Sequence, residues 1–113
     1  MNRTELVSYF YGHLAQTSAS PMALVVADAS GSTVRGADGR EHIDLLAGIG
    51  VAATGHRHPK VTAAIEEQLA RHLHVMVYGE MVQESQVRLA RRLAELLPAG
   101  LDSIYFTNSG TEA

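Results

Sequence analysis

The sequence predicts an α/β chain: a small antiparallel meander, then amphipathic helices, then a strand aimed at the start of another helix. Three observations lead there. Asp38-Gly39 lies between two strand-like runs, which is a strong hairpin signal. Apolar residues recur at four-residue steps over residues 59–73 and form a second one-sided face from Gln83 to Leu97, as in helices with one covered side. Ile104-Tyr-Phe-Thr-Asn-Ser-Gly-Thr-Glu-Ala113 reads as a short apolar strand, a turn of small residues and the first residues of a helix.

The 113 residues allow one ordinary domain at most, and 46% of them are apolar, which argues against a disordered chain. Aromatic residues number four tyrosines and two phenylalanines, so the core falls to Leu, Val, Ile and Ala. The formal charge is −3 and the pI about 6.0. With no basic run beyond Arg91-Arg92, a nucleic-acid partner has no electrostatic footprint. Absence of cysteine excludes disulfides, thiolate metal sites and a cysteine nucleophile. No apolar stretch suits a signal peptide or a membrane span, so a soluble cytoplasmic protein is expected.

Leu6, Phe10 and Leu14 repeat at four-residue steps, which predicts an amphipathic helix over residues 4–16 with Thr4 as N-cap. Gln16-Thr-Ser-Ala-Ser-Pro21 follows as a polar linker. Short apolar runs then alternate with turn residues: Met22 to Ala27, Asp28 to Gly31, Thr33-Val34, Gly36 to Gly39, and Glu41 to Leu46. This is the pattern of a meander. Gly48, Gly50 and Gly55 mark a segment that passes close to other backbone or to a ligand. Pro59 suits the first position of a helix carrying Val61, Ile65 and Leu69 on one face and a Glu67–Arg71 pair on the other. The second helix sets Val87, Ala90, Leu93, Ala94 and Leu97 against Glu84, Arg88, Arg91, Arg92 and Glu95, and Pro98 and Gly100 stop it.

The closing turn has two local readings. Free N–H groups at a helix start, with the hydroxyls of Ser109 and Thr111 beside them, favour a phosphate or other anion. Alternatively Asn108 or Ser109 simply caps the helix while Glu112 complements its dipole.

Four blocks in order weigh on that choice: Gly36-Ala-Asp-Gly-Arg-Glu-His-Ile-Asp44, Leu46-Ala-Gly-Ile-Gly-Val51, Gly55-His-Arg-His-Pro-Lys-Val61 and Tyr105-Phe-Thr-Asn-Ser-Gly-Thr-Glu-Ala113. Together they resemble the N-terminal portion of the class III pyridoxal-phosphate aminotransferases, the group of the ornithine, acetylornithine and 4-aminobutyrate aminotransferases. The resemblance spans about residues 22–113. It implies an N-terminal fragment of a fold-type-I transferase. Residues 1–20 would be a helical arm and linker, 21–58 the meander of the small domain, and 59–113 the start of the large cofactor-binding domain. It also implies a homodimer that takes an amino donor, an amino acid or ω-amine, and a 2-oxo acid acceptor, with pyridoxal 5'-phosphate as cofactor.

Residue by residue, Ser109, Gly110 and Thr111 match the turn that holds the cofactor phosphate. Gly48, Ile49, Gly50 and Val51 match a segment near the substrate entrance, and Asp38-Gly39 the structural hairpin. The family's Schiff-base lysine, its pyridine-binding aspartate and its ring-stacking aromatic would fall beyond Ala113. Lys60, the only lysine, reads as an exposed helix-start residue, so no catalytic residue is expected in this chain and it should be inactive alone. The alternative is a non-catalytic dimerisation or structural module, or a gene remnant, derived from the same family.

His56-Arg57-His58 and His72-Leu73-His74 offer four imidazoles for a metal in principle. No carboxylate lies at an obvious spacing to complete or orient such a site, so no metal is expected and these histidines read as solvated or capping groups. Tyr78 precedes the second helix and reads as an aromatic covering the helix pair.

Overall fold

The computed structural model describes all residues, Met1 to Ala113. They divide into two compact units, Met1–Arg71 and His72–Ala113. The first holds α1 (Arg3–His13), β1 (Val26–Ser30), β2 (Thr33–Gly36), β3 (Glu41–Ile43), α2 (Ala47–Gly50) and α3 (Pro59–Arg71). The second holds α4 (Glu84–Leu96) and the closing turn.

α1 is capped by Asn2, not Thr4. Asn2 Oδ1 accepts the Glu5 amide at 2.9 Å while Glu5 Oε2 accepts the Asn2 amide at 2.9 Å, a reciprocal box that satisfies two donors at the helix start. The helix stops at His13 because Leu14 is extended; the Phe10 carbonyl accepts both the Leu14 amide (3.3 Å) and the Gln16 side chain (3.0 Å), which also donates to the Leu14 carbonyl (2.8 Å). Leu6, Phe10 and Leu14 line an apolar groove with Ala23, Leu24, Val25 and Val26.

The three strands form an antiparallel sheet in the order β1-β2-β3. Asp28 to Ser30, expected as turn residues, lie in β1; the turn falls at Gly31-Ser32, between the paired Ser30 and Thr33, where Gly31 has φ +57°. Residues 22–25 are not strand, and the register shifts between Val26 and Asp28. Asp28 faces Arg35 across the strands and accepts from its Nε at 3.0 Å. The second hairpin turns at Asp38-Gly39 as expected: Gly36 N–H donates to Arg40 O and Gly39 N–H to Gly36 O, both at 2.9 Å. Asp38 Oδ1 accepts the Arg40 amide at 3.1 Å.

α3 begins at Pro59, with the His58 carbonyl accepting from Val61 (2.9 Å) and Thr62 (3.0 Å), and Arg71 pairs with Glu67 at 3.3 Å. In the second unit α4 carries Arg91–Glu95 and Arg88–Glu84 pairs at 2.9 and 3.7 Å on its polar side. It ends where Leu97, preceding Pro98, turns extended. The strand expected at 104–107 is not formed. Within the chain it has no hydrogen-bonded neighbour, and a strand without a ladder partner has only its side chains to hold it. No hydrophobic side chain is fully buried, and Gly36 is the one buried residue.

Candidate functional site

The sequence-predicted residues occupy two places, Gly48–Val51 in the first unit and Ser109–Thr111 in the second. In the second unit, Tyr78 stands edge-on to Tyr105 and Phe106 with ring centroids 5.1 and 6.1 Å away, and its hydroxyl donates to the Ile104 carbonyl at 3.4 Å. Tyr78 therefore steadies the segment leading into the closing turn. Side-chain packing does here what a sheet neighbour would do.

The turn itself is a helix start. Glu112 and Ala113 both donate their amides to the Ser109 carbonyl at 3.2 Å, and Thr107 Oγ1 donates to the same oxygen at 3.1 Å. Ser109 Oγ accepts the Glu112 amide at 3.3 Å. The Glu112 carboxylate folds back so that Oε2 accepts from the Asn108 amide (3.0 Å) and the Ser109 hydroxyl (3.2 Å). These reciprocal bonds are those of the capped turn: Ser109 takes the Glu112 amide, and the Glu112 carboxylate takes the Asn108 amide and the Ser109 hydroxyl. A Cβ built on Gly110 would meet nothing within 4 Å, so the turn is open on that side. The Asn108 amide, the Ser109 hydroxyl and the open face together offer donors of the kind an anionic oxygen takes.

In the first unit, β3 leads into a loop anchored by Asp44. Its Oδ1 accepts the amides of Leu46 and Ala47, both at 2.9 Å, and its Oδ2 lies 2.6 Å from His56 Nε2. A carboxylate only accepts, so the imidazole Nε2–H donates. Bonding from His56 first, then from the Ala47 and Leu46 amides, holds the Asp44 carboxyl below its ordinary pKa. His56 also bridges Gly31 through the main chain, amide to carbonyl in both directions at 2.9 and 2.8 Å. Gly55 permits this: at φ +80°, a Cβ there would stand 3.0 Å from the Gly31 carbonyl oxygen.

Between these anchors the chain makes a left-handed turn. Ala47, Gly48, Ile49 and Gly50 have φ of 48°, 61°, 62° and 81° in succession, and Ile49 is β-branched, which makes the conformation costly there. The turn projects Ile49, 92% exposed, and Val51, 83% exposed. Sequence reasoning found this segment through its glycines but missed what holds it. The expectation that no carboxylate orients these histidines is corrected by Asp44, brought onto His56 from twelve residues away by the Gly31 bridge. No spacing rule in the sequence signals that contact. No group of three or more His, Asp or Glu side chains is arranged to hold a metal ion. Lys60 lies exposed at the second position of α3.

Residues 14–113 match the family model described as Aminotransferase class-III. Over 113 residues the chain is 39% identical to an acetylornithine aminotransferase of Methanopyrus kandleri, covering all of this chain and 28% of that protein. Over 74 residues, 66% of this chain, it is 51% identical to acetylornithine aminotransferase 1 of Bordetella parapertussis, covering 18% of it. Its structure is similar to that of a thermostable (S)-enantioselective omega-transaminase from Thermomicrobium roseum, with a TM-score of 0.85 at 31% identity, covering 99% of this chain and 26% of the other. The chain therefore spans 28% or less of each of these relatives.

Proposed function

Because the chain belongs to the class III aminotransferase family, we propose that the whole protein carrying it is a pyridoxal 5'-phosphate-dependent aminotransferase. It would move an amino group from an amino acid or ω-amine to a 2-oxo acid. The cofactor, when bound, supplies an electron-accepting ring that carries the amino group between substrates. This chain's part is to bind and to shape. Ser109, Gly110 and Thr111 hold the phosphate through main-chain N–H groups and hydroxyls, with the Glu112 carboxylate giving up the Ser109 hydroxyl to it. Gly48, Ile49, Gly50 and Val51 border the substrate entrance. The arm (1–20) and meander (21–58) belong to the small domain, and residues 59–113 open the large one. The protein works as a homodimer in the cytoplasm, and no helix of the chain is long and apolar enough to cross a membrane.

The observation that carries this reading is the turn at Ser109, where an anionic oxygen already sits on an amide and a hydroxyl. In the full-length protein, Ser109→Ala should weaken cofactor binding about tenfold, as loss of one charge-assisted hydrogen bond does. Titration with pyridoxal 5'-phosphate followed by absorbance reads this, and unchanged affinity would overturn the assignment. The 113-residue chain alone should show no transamination, since its one lysine is exposed on α3. Coding sequence continuing past Ala113 to a lysine that follows a strand favours the enzyme. A stop codon there favours the non-catalytic module or gene remnant.

A further inference from the structure

The Ala47–Gly50 turn poses a physical question: what keeps four consecutive residues in the left-handed region when one of them is isoleucine? Non-glycine residues are strained there relative to ordinary backbone, so the turn must be over-determined by its surroundings. Ile49 and Val51 do not supply the restraint, because both side chains project away from the fold. The restraints are polar: within the turn the Ile49 and Gly50 amides donate to the Leu46 carbonyl at 2.8 and 3.1 Å and the Ala52 amide to the Ala47 carbonyl at 2.9 Å, and the turn's two ends are tied by one side chain. Asp44 Oδ1 takes the two amides that enter the turn, Leu46 and Ala47, and Asp44 Oδ2 takes His56, which closes the loop at its far end. The Asp44 and His56 side chains are only 13% and 27% exposed, so water competes poorly for this bond. His56 is in turn fixed to the meander by its double main-chain bridge to Gly31.

We propose that Asp44 and His56 form a latch that holds the left-handed turn, and with it the exposed Ile49 and Val51, in a single conformation. Both are positioning residues. The pair acts on the turn's shape and touches no reacting group. That this shape matters for substrate rests on the reading of Gly48–Val51 given above, whereas the latch itself stands on the contacts alone.

The test uses the full-length protein and hydrogen exchange read by mass spectrometry, comparing a peptide covering residues 45–52 with one covering residues 33–36 of β2. Asp44→Ala and His56→Ala should each speed exchange in 45–52 by about tenfold or more while leaving 33–36 unchanged. His56→Gln places an amide N–H near the lost Nε2–H and should restore most of the protection. Equal acceleration in both peptides would make the pair a general stabiliser, and no acceleration in 45–52 would make it incidental; either result overturns the latch. Should the alanine variants fail to fold, the wild-type protein still decides. A slowly exchanging, downfield imidazole N–H signal from His56, lost on acidification together with protection of 45–52, supports the latch, and rapid exchange of that proton refutes it. Steady-state kinetics separate the two readings. A rise in KM for the amino donor with kcat nearly unchanged follows if the turn borders the substrate entrance. Unchanged KM with accelerated exchange leaves the latch in place and removes only that role.

Discussion

Asp44 serves three donors with two oxygens, and this makes the 44–56 loop sensitive to acid. Its carboxyl is more acidic in the fold than in the unfolded chain. It therefore stabilises the fold above its unfolded pKa, and that contribution disappears as pH falls through the lower, folded value. Asp38, held down chiefly by the Arg40 amide, acts in the same direction. As pH falls below the ordinary carboxylate range the loop should lose protection in the wild type, and Asp44→Asn should flatten this response without abolishing the share due to Asp38. Thermal midpoints of the full-length protein and its variant across that range check it, and parallel curves for the two would contradict it. Gly55 is a second residue with a narrow role. An alanine there meets the Gly31 carbonyl at 3.0 Å and must keep φ near +80°. In the full-length protein Gly55→Ala should cost about 1–3 kcal/mol of stability, measured by denaturant midpoint at unchanged slope.

Among the elements, α1 shows how a local signal can be present and still be misread. Asn2 and Glu5 have the spacing of a capping box, yet Thr4, nearer the first apolar residue, is the more obvious cap by position. Asn2→Ala removes the Glu5 amide's acceptor and should cost α1 about 1 kcal/mol. Faster exchange of the Glu5 and Leu6 amides reads this, and Thr4→Ala should leave them unchanged. α3 and the Asp38-Gly39 hairpin were legible because their determinants are local: a proline at the first helical position, a four-residue apolar repeat, and a glycine with positive φ at the turn. The start of β1 was not: the pairing register shifts between Val26 and Asp28 and Ala23 is left-handed, and neither residue type marks such a departure. The same distinction divides the candidate site. The Ser109–Glu112 turn could be read from four consecutive residues. The Asp44–His56 contact depends on a bridge to Gly31, which no window of sequence contains. The strand at 104–107 failed for a related reason, since a strand needs a partner that periodicity cannot supply.

For the molecule as a whole, the decisive quantity is apolar surface left in water. Val61, Ile65 and Leu69 on α3 are 47%, 55% and 51% exposed, although their spacing is that of a face built to be covered. Val87 on α4 and Leu97 just after it, and Leu6 and Leu14 at α1, are open to a similar extent. Burial of such groups yields about 25 cal/mol per Å² of apolar area, and that gain must offset about 1–2 kcal/mol of backbone entropy for every residue ordered. A chain in which no hydrophobic side chain is fully buried collects little of this gain, so its elements have no common core through which to melt together. The 113 residues expressed alone should accordingly bind a hydrophobic dye, unfold over a broad temperature range and self-associate as concentration rises. A concentration series by analytical ultracentrifugation beside differential scanning calorimetry tests this. One sharp transition from a monomer that binds no dye would mean that the half-open faces are sufficient, and the case for cover from outside these residues would fail.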